Sequence, residues 1–246
     1  VAQPYDAIGR AYRAYRRSDP RFAAAIAEAL GEAATVVNVG AGAGSYEPTD
    51  RRVVAVEPSS AMIAQRPVGG APVVQASATA LPFRDGSFAA ALAVLTVHHW
   101  PDQRQGLAEL ARVARERTVV LTWDPATPGF WLVDEYFPEV WVVDRPIFPG
   151  LDDFRRVLGP IEVRTLPVPA DCTDGFLGAY WRRPAAYLDP GVRGAMSTFA
   201  KIRDVEAGVA RLRRDLDDGT WRRRHADLLD RETLDLGYRL VVSARQ

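Results

Sequence analysis

The chain has 246 residues, enough for one large domain with a substantial core or for one domain carrying an inserted cap. Its 31 lysines and arginines equal its 31 aspartates and glutamates, so nothing in the charge argues for nucleic acid or an anionic membrane as partner. Cys172 is the single cysteine, which excludes an internal disulfide and a multi-thiolate metal site and fits a reduced, cytoplasmic setting.

The first residues are polar and rich in tyrosine and arginine, unlike an export signal, and no window reaches transmembrane length. Tyr5, Ile8, Tyr12 and Tyr15 fall at helical spacing and predict a helix over 5–17, followed by another from Pro20 to Leu30. Strands and helices then alternate: strands over 35–39, 53–57, 73–75, 88–95 and 117–123, with helices over 59–65 and 104–114 and a short helix or none after Ser45. Such alternation predicts a mostly parallel sheet covered on both faces, with ligands at the carboxyl ends of its strands. From Asp124 to about Gly159, five prolines interrupt a segment crowded with Phe130, Trp131, Tyr136, Phe137, Trp141 and Phe148, which predicts short helices walling the strand ends. A strand over 161–169, helices over 174–230 and a final strand over 237–244 complete the pattern. The late strands predict an antiparallel addition to the sheet edge with a cap grafted onto it. The domain expectation is therefore a core over 1–124 with its N-terminal helical lid, a cap over 125–230 and a last core strand within 231–246.

The first predicted strand stops abruptly in Gly40, Gly42 and Gly44, where the backbone must turn sharply or let a ligand come close. The second ends in Glu57, a carboxylate able to accept hydrogen bonds from both hydroxyls of a ribose. A dinucleotide fingerprint would need glycine at position 45, which is Ser45, and a phosphate-binding Walker loop would need a lysine that is missing here. What remains is G-x-G-x-G followed by an acid, the pattern of a site for S-adenosylmethionine, which carries ribose and adenine but no phosphate.

One further segment reads Ser77-Ala78-Thr79-Ala80-Leu81-Pro82-Phe83-Arg84-Asp85-Gly86-Ser87-Phe88-Ala89. With the glycine loop and Glu57, it resembles the class I S-adenosylmethionine-dependent methyltransferases, within them the small-molecule branch that carries D-A-x-x-L-P-F-x-D-x-S-F-D after its third strand. The likeness runs from about Val36 to Trp123. Stretches at 97–100 (VHHW), 122–125 (TWDP) and 235–240 (DLGYRL) are similar to bacterial members of that branch. The resemblance implies an α/β, Rossmann-like, doubly wound sheet of seven mostly parallel strands, with an antiparallel last strand and a helical cap insertion. It also implies that Gly40, Ala41, Gly42 and Gly44 form the loop against the methionine part of the cofactor, that Glu57 takes the ribose hydroxyls, and that Pro58 and Met62 flank the adenine. Ser77 and Ala78 would meet the adenine edge, and Leu95 would offer its carbonyl near the methionine amine. Tyr5 and Tyr12 would close over the cofactor, with Arg16 as carboxylate partner. Two positions depart from the family pattern: Asn38 stands where an acid usually precedes the glycines, and Ser77 where an aspartate usually meets the adenine amino group. Each keeps a hydrogen-bonding group while giving up a negative charge.

Beyond the fourth strand the sequence reads Thr96-Val97-His98-His99-Trp100-Pro101-Asp102. A weakly acidic hydroxyl acceptor must lose its proton, and imidazole suits that task near neutral pH. His98, then His99, is therefore the candidate base, against the plainer reading that these histidines cap a turn or fill space. Pro101 and Asp102 read as a helix start, and Asp124 as either a pocket residue or a turn starter. A zinc site from His98, His99 and His225 is not expected, since adjacent histidines on a strand point apart. The leading expectation is O-methylation of a small-molecule acceptor by in-line transfer, without metal, nucleic acid or membrane, in an unspecified oligomeric state. Two alternatives stay open: an S-adenosylmethionine-binding scaffold or rearrangement catalyst without methyl transfer, and an oxidoreductase using a nicotinamide dinucleotide.

Overall fold

The structure is a computed structural model that describes residues 15–244, so the expectations for Tyr5, Ile8 and Tyr12 lie outside the described residues. Among the described residues there are nine strands: β1 Thr35–Val39, β2 Arg52–Val56, β3 Val73–Val74, β4 Phe88–Val94, β5 Ala114–Trp123, β6 Glu162–Thr165, β7 Val168–Pro169, β8 Thr233–Leu234 and β9 Tyr238–Ala244. Seven of them form one sheet in the order β3-β2-β1-β4-β5-β9-β6. β9 is antiparallel to both its neighbours, whereas the pairings among β1 to β5 are parallel. This is the Rossmann-like sheet with one reversed strand that the sequence predicts. The strand order turns back between β1 and β4, and their carboxyl ends open a crevice there.

Alternation along the strands builds two apolar layers, because successive side chains point to opposite faces. Val36, Ala90 and Leu92 face a layer with Phe22, Ile26, Leu30, Phe176, Trp181 and Tyr238. Val37, Val39, Ala91 and Ala93 face the other, with Leu107 and Leu110 from the helix Gln103–Val113 and Phe154 from the helix Leu151–Leu158. Part of the segment 125–230 is thus packed on the sheet itself. The rest builds a third apolar cluster around Trp131, Phe137, Tyr187, Phe199, Leu212 and Trp221, which is the core of the cap.

The helix Pro20–Leu30 shows how local chemistry sets these elements. Asp19 caps it by accepting from the Arg21 N–H at 2.9 Å, proline occupies its first turn, and Gly31 ends it at φ +53°. Asp19 also accepts from the Thr173 N–H at 3.0 Å, so the same carboxylate fastens the cap to the core.

Two expectations are corrected. The single strand over 161–169 is broken into β6 and β7, because Pro167 lacks the N–H that a continuous ladder needs. The helix over 59–65 is regular only over Ser60–Ile63, and its continuation closes with i→i+3 bonds from Gln65 and Arg66 before Pro67.

Candidate functional site

Two adjoining cavities lie at the carboxyl ends of the strands. The first is a cleft lined by Asn38, Gly40, Ala41, Gly42, Tyr46, Glu57, Pro58, Met62, Ser77, Ala78 and Leu95, among others. The sequence-predicted cofactor residues therefore converge from the tips of β1, β2, β3 and β4. Gly44 does not line this cleft; a Cβ there would stand in ordinary contact with Arg66 and Glu47, at 3.4 Å.

The glycine loop is held by neighbours rather than by a helix, for residues 40–51 contain none. Gly40, Gly42 and Gly44 have φ of +70°, +52° and +94°, a region that glycine enters without penalty. A Cβ on Gly40 would lie 2.1 Å from Thr96 Oγ1. The N–H groups of Gly40 and Ala41 both donate to the Val56 carbonyl, at 2.8 and 3.0 Å. Arg66 donates to both Glu47 carboxylate oxygens at 2.8 and 2.7 Å and to the Gly42 carbonyl at 3.3 Å. Asn38 Nδ2 donates to Glu47 Oε1 at 3.2 Å, so the asparagine found in place of an acid joins this brace. The lack of a helix N-terminus at the loop also removes the usual seat of a pyrophosphate and leaves the nicotinamide reading without support.

Glu57 is buried beneath the loop. Its Oε2 accepts from the Gly42 N–H at 2.8 Å and its Oε1 from the Ser59 N–H at 2.9 Å. A carboxylate has about four acceptor positions, so roughly two remain for a diol. Burial raises its pKa, while the two backbone bonds and Arg66 pull the other way. Met62 closes the cleft near Gly42, its methyl 3.3 Å from where a Cβ there would stand. The Ser77 hydroxyl is already engaged, accepting from the Thr79 N–H at 3.2 Å and bonded to the Thr79 hydroxyl at 2.8 Å. Asn38 Oδ1 is buried and has no hydrogen-bond partner, which marks a donor-seeking atom in the lining. Space enforced by glycine, a carboxylate with spare acceptor capacity and this amide oxygen fit a small ligand with a diol and a cationic amine, as S-adenosylmethionine has.

The second cavity, about 830 Å3 counting its open mouth, is an aromatic chamber under the cap, walled by Trp123, Phe130, Trp141, Phe148, Phe176 and Tyr238. Arg16, Leu95 and His99 line both cavities, and His98 lines the chamber. Leu95 holds a left-handed backbone at φ +49° while its N–H donates to the Leu121 carbonyl at 2.8 Å. Arg16 pairs through Nε with Asp174 Oδ1 at 2.7 Å, a carboxylate partner that sequence reasoning did not foresee.

The histidines lie on the 3-10 turn Val97–His99, not on a strand, and this corrects the picture of rings pointing apart. Their ring centroids are 3.8 Å from one another, and the His98 ring stacks on Phe148 at 3.9 Å. Burial lowers the pKa of both, with Lys201 and Arg16 adding to it; His98 falls well below its usual range and His99 to about 4. Both rings are therefore neutral at pH 7. His225 lies apart, within the cap against Trp131 and Trp221. Asp102 caps the helix Gln103–Val113 by accepting from the Gln105 N–H at 2.9 Å. Asp124 accepts from the Ala126 N–H at 3.0 Å as a turn residue and does not line the chamber. Chamber residues that sequence reasoning missed include Asp144 and Thr198; the only hint of Asp144 is an acid ending the apolar run Val140-Trp141-Val142-Val143.

Comparison with known proteins agrees with this architecture. A family model described as a methyltransferase domain matches residues 37–122. The uncharacterised methyltransferase YcgJ of Bacillus subtilis (strain 168) is 28% identical over 140 residues, a match covering 52% of this chain and about half (50%) of that protein. Geranyl diphosphate C-methyltransferase of Streptomyces coelicolor A3(2), solved with S-adenosylhomocysteine, shares the fold at 15% identity and TM-score 0.52, over 92% of this chain and 76% of that one. A candidate methyltransferase from an antibiotic biosynthesis pathway of Anabaena variabilis ATCC 29413 is 31% identical, with TM-score 0.86, over 93% of this chain and 98% of that one. With that relative matched along nearly its whole length, the chain belongs to the class I S-adenosylmethionine-dependent methyltransferase family.

Proposed function

We propose that this protein methylates an oxygen of a small-molecule acceptor held in the aromatic chamber. The observation that carries the reading is the meeting of the two cavities at Arg16, Leu95 and His99, which puts a ligand-sized cleft and an acceptor-sized chamber on either side of the β4 tip. When bound, S-adenosylmethionine supplies a methyl group on a sulfonium, whose departure leaves a neutral thioether.

The residues of the chain divide the remaining work. Glu57 accepts the ribose hydroxyls, the loop Gly40–Gly44 admits the methionine part, Pro58 and Met62 pack on the adenine, and Ser77 and Ala78 meet its edge. The Leu95 carbonyl and Asn38 Oδ1 receive the amine, and Arg16 borders the carboxylate. His98, with His99 beside it, accepts the acceptor's hydroxyl proton at a ring nitrogen; both rings are neutral at pH 7 and so free to accept, while their lowered pKa values make each a weaker base than an exposed imidazole. The aromatic walls keep water out and hold the acceptor at attack distance, a large share of the acceleration for such a displacement.

Single-turnover incubation with cofactor labelled in its methyl group and fractionated small-molecule extract tests the reading. Label is expected in a low-molecular-weight product whose methyl is carried on oxygen. Cofactor binding with no label transferred to any acceptor would favour a scaffold that binds S-adenosylmethionine without spending it.

A further inference from the structure

The chamber holds one carboxylate that the proposed transfer does not use. Asp144 closes the helix Glu139–Asp144, is buried, and accepts from Thr198 Oγ1 at 2.7 Å. Among the described residues no arginine or lysine forms an ion pair with it within 4.0 Å, and Lys201 acts on it only through its field. The one arginine or lysine in the chamber lining among the described residues, Arg16, is already paired with Asp174, which lies outside that lining. Among the described residues the lining therefore carries one carboxylate without an ion-pair partner. A buried carboxylate in that condition is costly until a cation or a strong donor meets it.

The walls point to the same ligand chemistry. Trp123 Nε1 donates to the Leu236 carbonyl at 2.9 Å and Trp141 Nε1 to Asp134 Oδ1 at 2.9 Å. Both indole N–H groups are thus committed, and although the Arg145 guanidinium covers one face of Trp141 at 3.8 Å, what the two rings still offer the cavity is π surface. Phe130, Phe148 and Phe176 add more of it. A negative group set among aromatic rings attracts a cation and gives little to an anion.

We propose that Asp144, oriented by Thr198, anchors a cationic amine head on a flat or aromatic acceptor whose other end reaches toward Leu95 and His99. Asp144 does not line the cofactor cleft, so the amine is a handle and a different group receives the methyl. This inference rests on the reading of the chamber as the acceptor site. Burial raises the Asp144 pKa in the ligand-free protein, and an ammonium at the carboxylate would reverse that.

The test uses three matched probes, 2-phenylethylamine, 2-phenylethanol and phenylacetate, titrated calorimetrically at pH 7.5 into the full chain with and without saturating S-adenosylhomocysteine. The amine is expected to bind at least about tenfold more tightly than the alcohol, with phenylacetate weakest. In Asp144→Asn the preference for the amine is expected to fall to within about threefold, and in Thr198→Val to weaken partly. Equal binding of the three probes, no binding of any, or an undiminished preference in Asp144→Asn would overturn the proposal. The comparison among probes in the unaltered protein stands even if the variants fold poorly. Failure of S-adenosylhomocysteine to bind, with the amine preference intact, would sink the methyl-transfer reading and leave the amine anchor standing.

Discussion

Tyr46 donates from its hydroxyl to Asp174 Oδ2 at 3.0 Å, so the residue that ends the glycine loop is tied to the cap. The same carboxylate takes Arg16 Nε at 2.7 Å and the Gly175 N–H at 2.8 Å, and it is almost fully buried. Tyr46 itself sits at φ +61°, a strained backbone for tyrosine that these contacts hold in place. Asp174→Ala removes the acceptor from three donors at once and is expected to cost about 3–5 kcal/mol of stability. Urea unfolding followed by tryptophan fluorescence measures it, and a loss below about 1 kcal/mol would show that the junction is not needed for the fold.

Glu57 is expected to govern cofactor affinity. Glu57→Gln keeps the shape but turns one acceptor oxygen into a donor that faces the N–H of Gly42 or Ser59. S-adenosylhomocysteine should bind about tenfold or more weakly by calorimetry. Unchanged affinity would remove Glu57 from the site.

Gly40→Ala should damage the loop directly. The new methyl would meet Thr96 Oγ1 at 2.1 Å, on a backbone at φ +70°. Destabilisation of about 1–3 kcal/mol is expected from the backbone alone, with more from the clash. Adding Thr96→Ala removes the Oγ1 and Cγ2 contacts but leaves the Cβ of residue 96 at 2.9 Å from the new methyl and the backbone strain in place, so only part of the melting temperature returns. Full recovery would mean that the left-handed conformation carries no cost there.

The pH dependence of stability follows from the two histidines. Burial holds both pKa values below the ordinary 6.5, that of His99 at about 4, so between those pH values the unfolded chain binds protons that the folded protein refuses. The histidine contribution to stability should therefore rise with pH from about 4 to about 6.5 and level off above, against the opposite trend of the buried Glu57 and Asp144 carboxyls, and His99→Ala should remove part of that rise. Urea midpoints taken across that range check it. If His99 also works as a base, the acid limb of kcat/KM lies near pH 4 rather than near 6.5.

The sheet and the cleft could be read from the sequence because both are written locally. Apolar strands ending in Gly40 and Glu57 announce a strand tip and a ligand cleft within a few residues of chain. The ladder break at Pro167 was equally local, but the surrounding Val163, Leu166 and Val168 suggested one continuous strand. The chamber is different in kind. Asp144 and Thr198 are 54 positions apart and meet only through cap packing, and Arg16 finds Asp174 across 158. No periodicity encodes such pairings. The histidines are visible in the sequence as residues but not as a touching pair, because nothing local distinguishes the 3-10 turn Val97–His99 from a continuation of the strand before it.

The placement of β9 between β5 and β6 reaches beyond catalysis. The two strands it joins precede it in the chain, with most of the cap encoded in between. A nascent chain leaving the ribosome must then hold a five-strand parallel half-sheet with an open edge until the cap has emerged and β9 arrives to zip the two sides together. Completion of the sheet thereby waits for synthesis of the segment that roofs the acceptor chamber, whereas the cleft at the tips of β1 to β4 is encoded wholly within the earlier half.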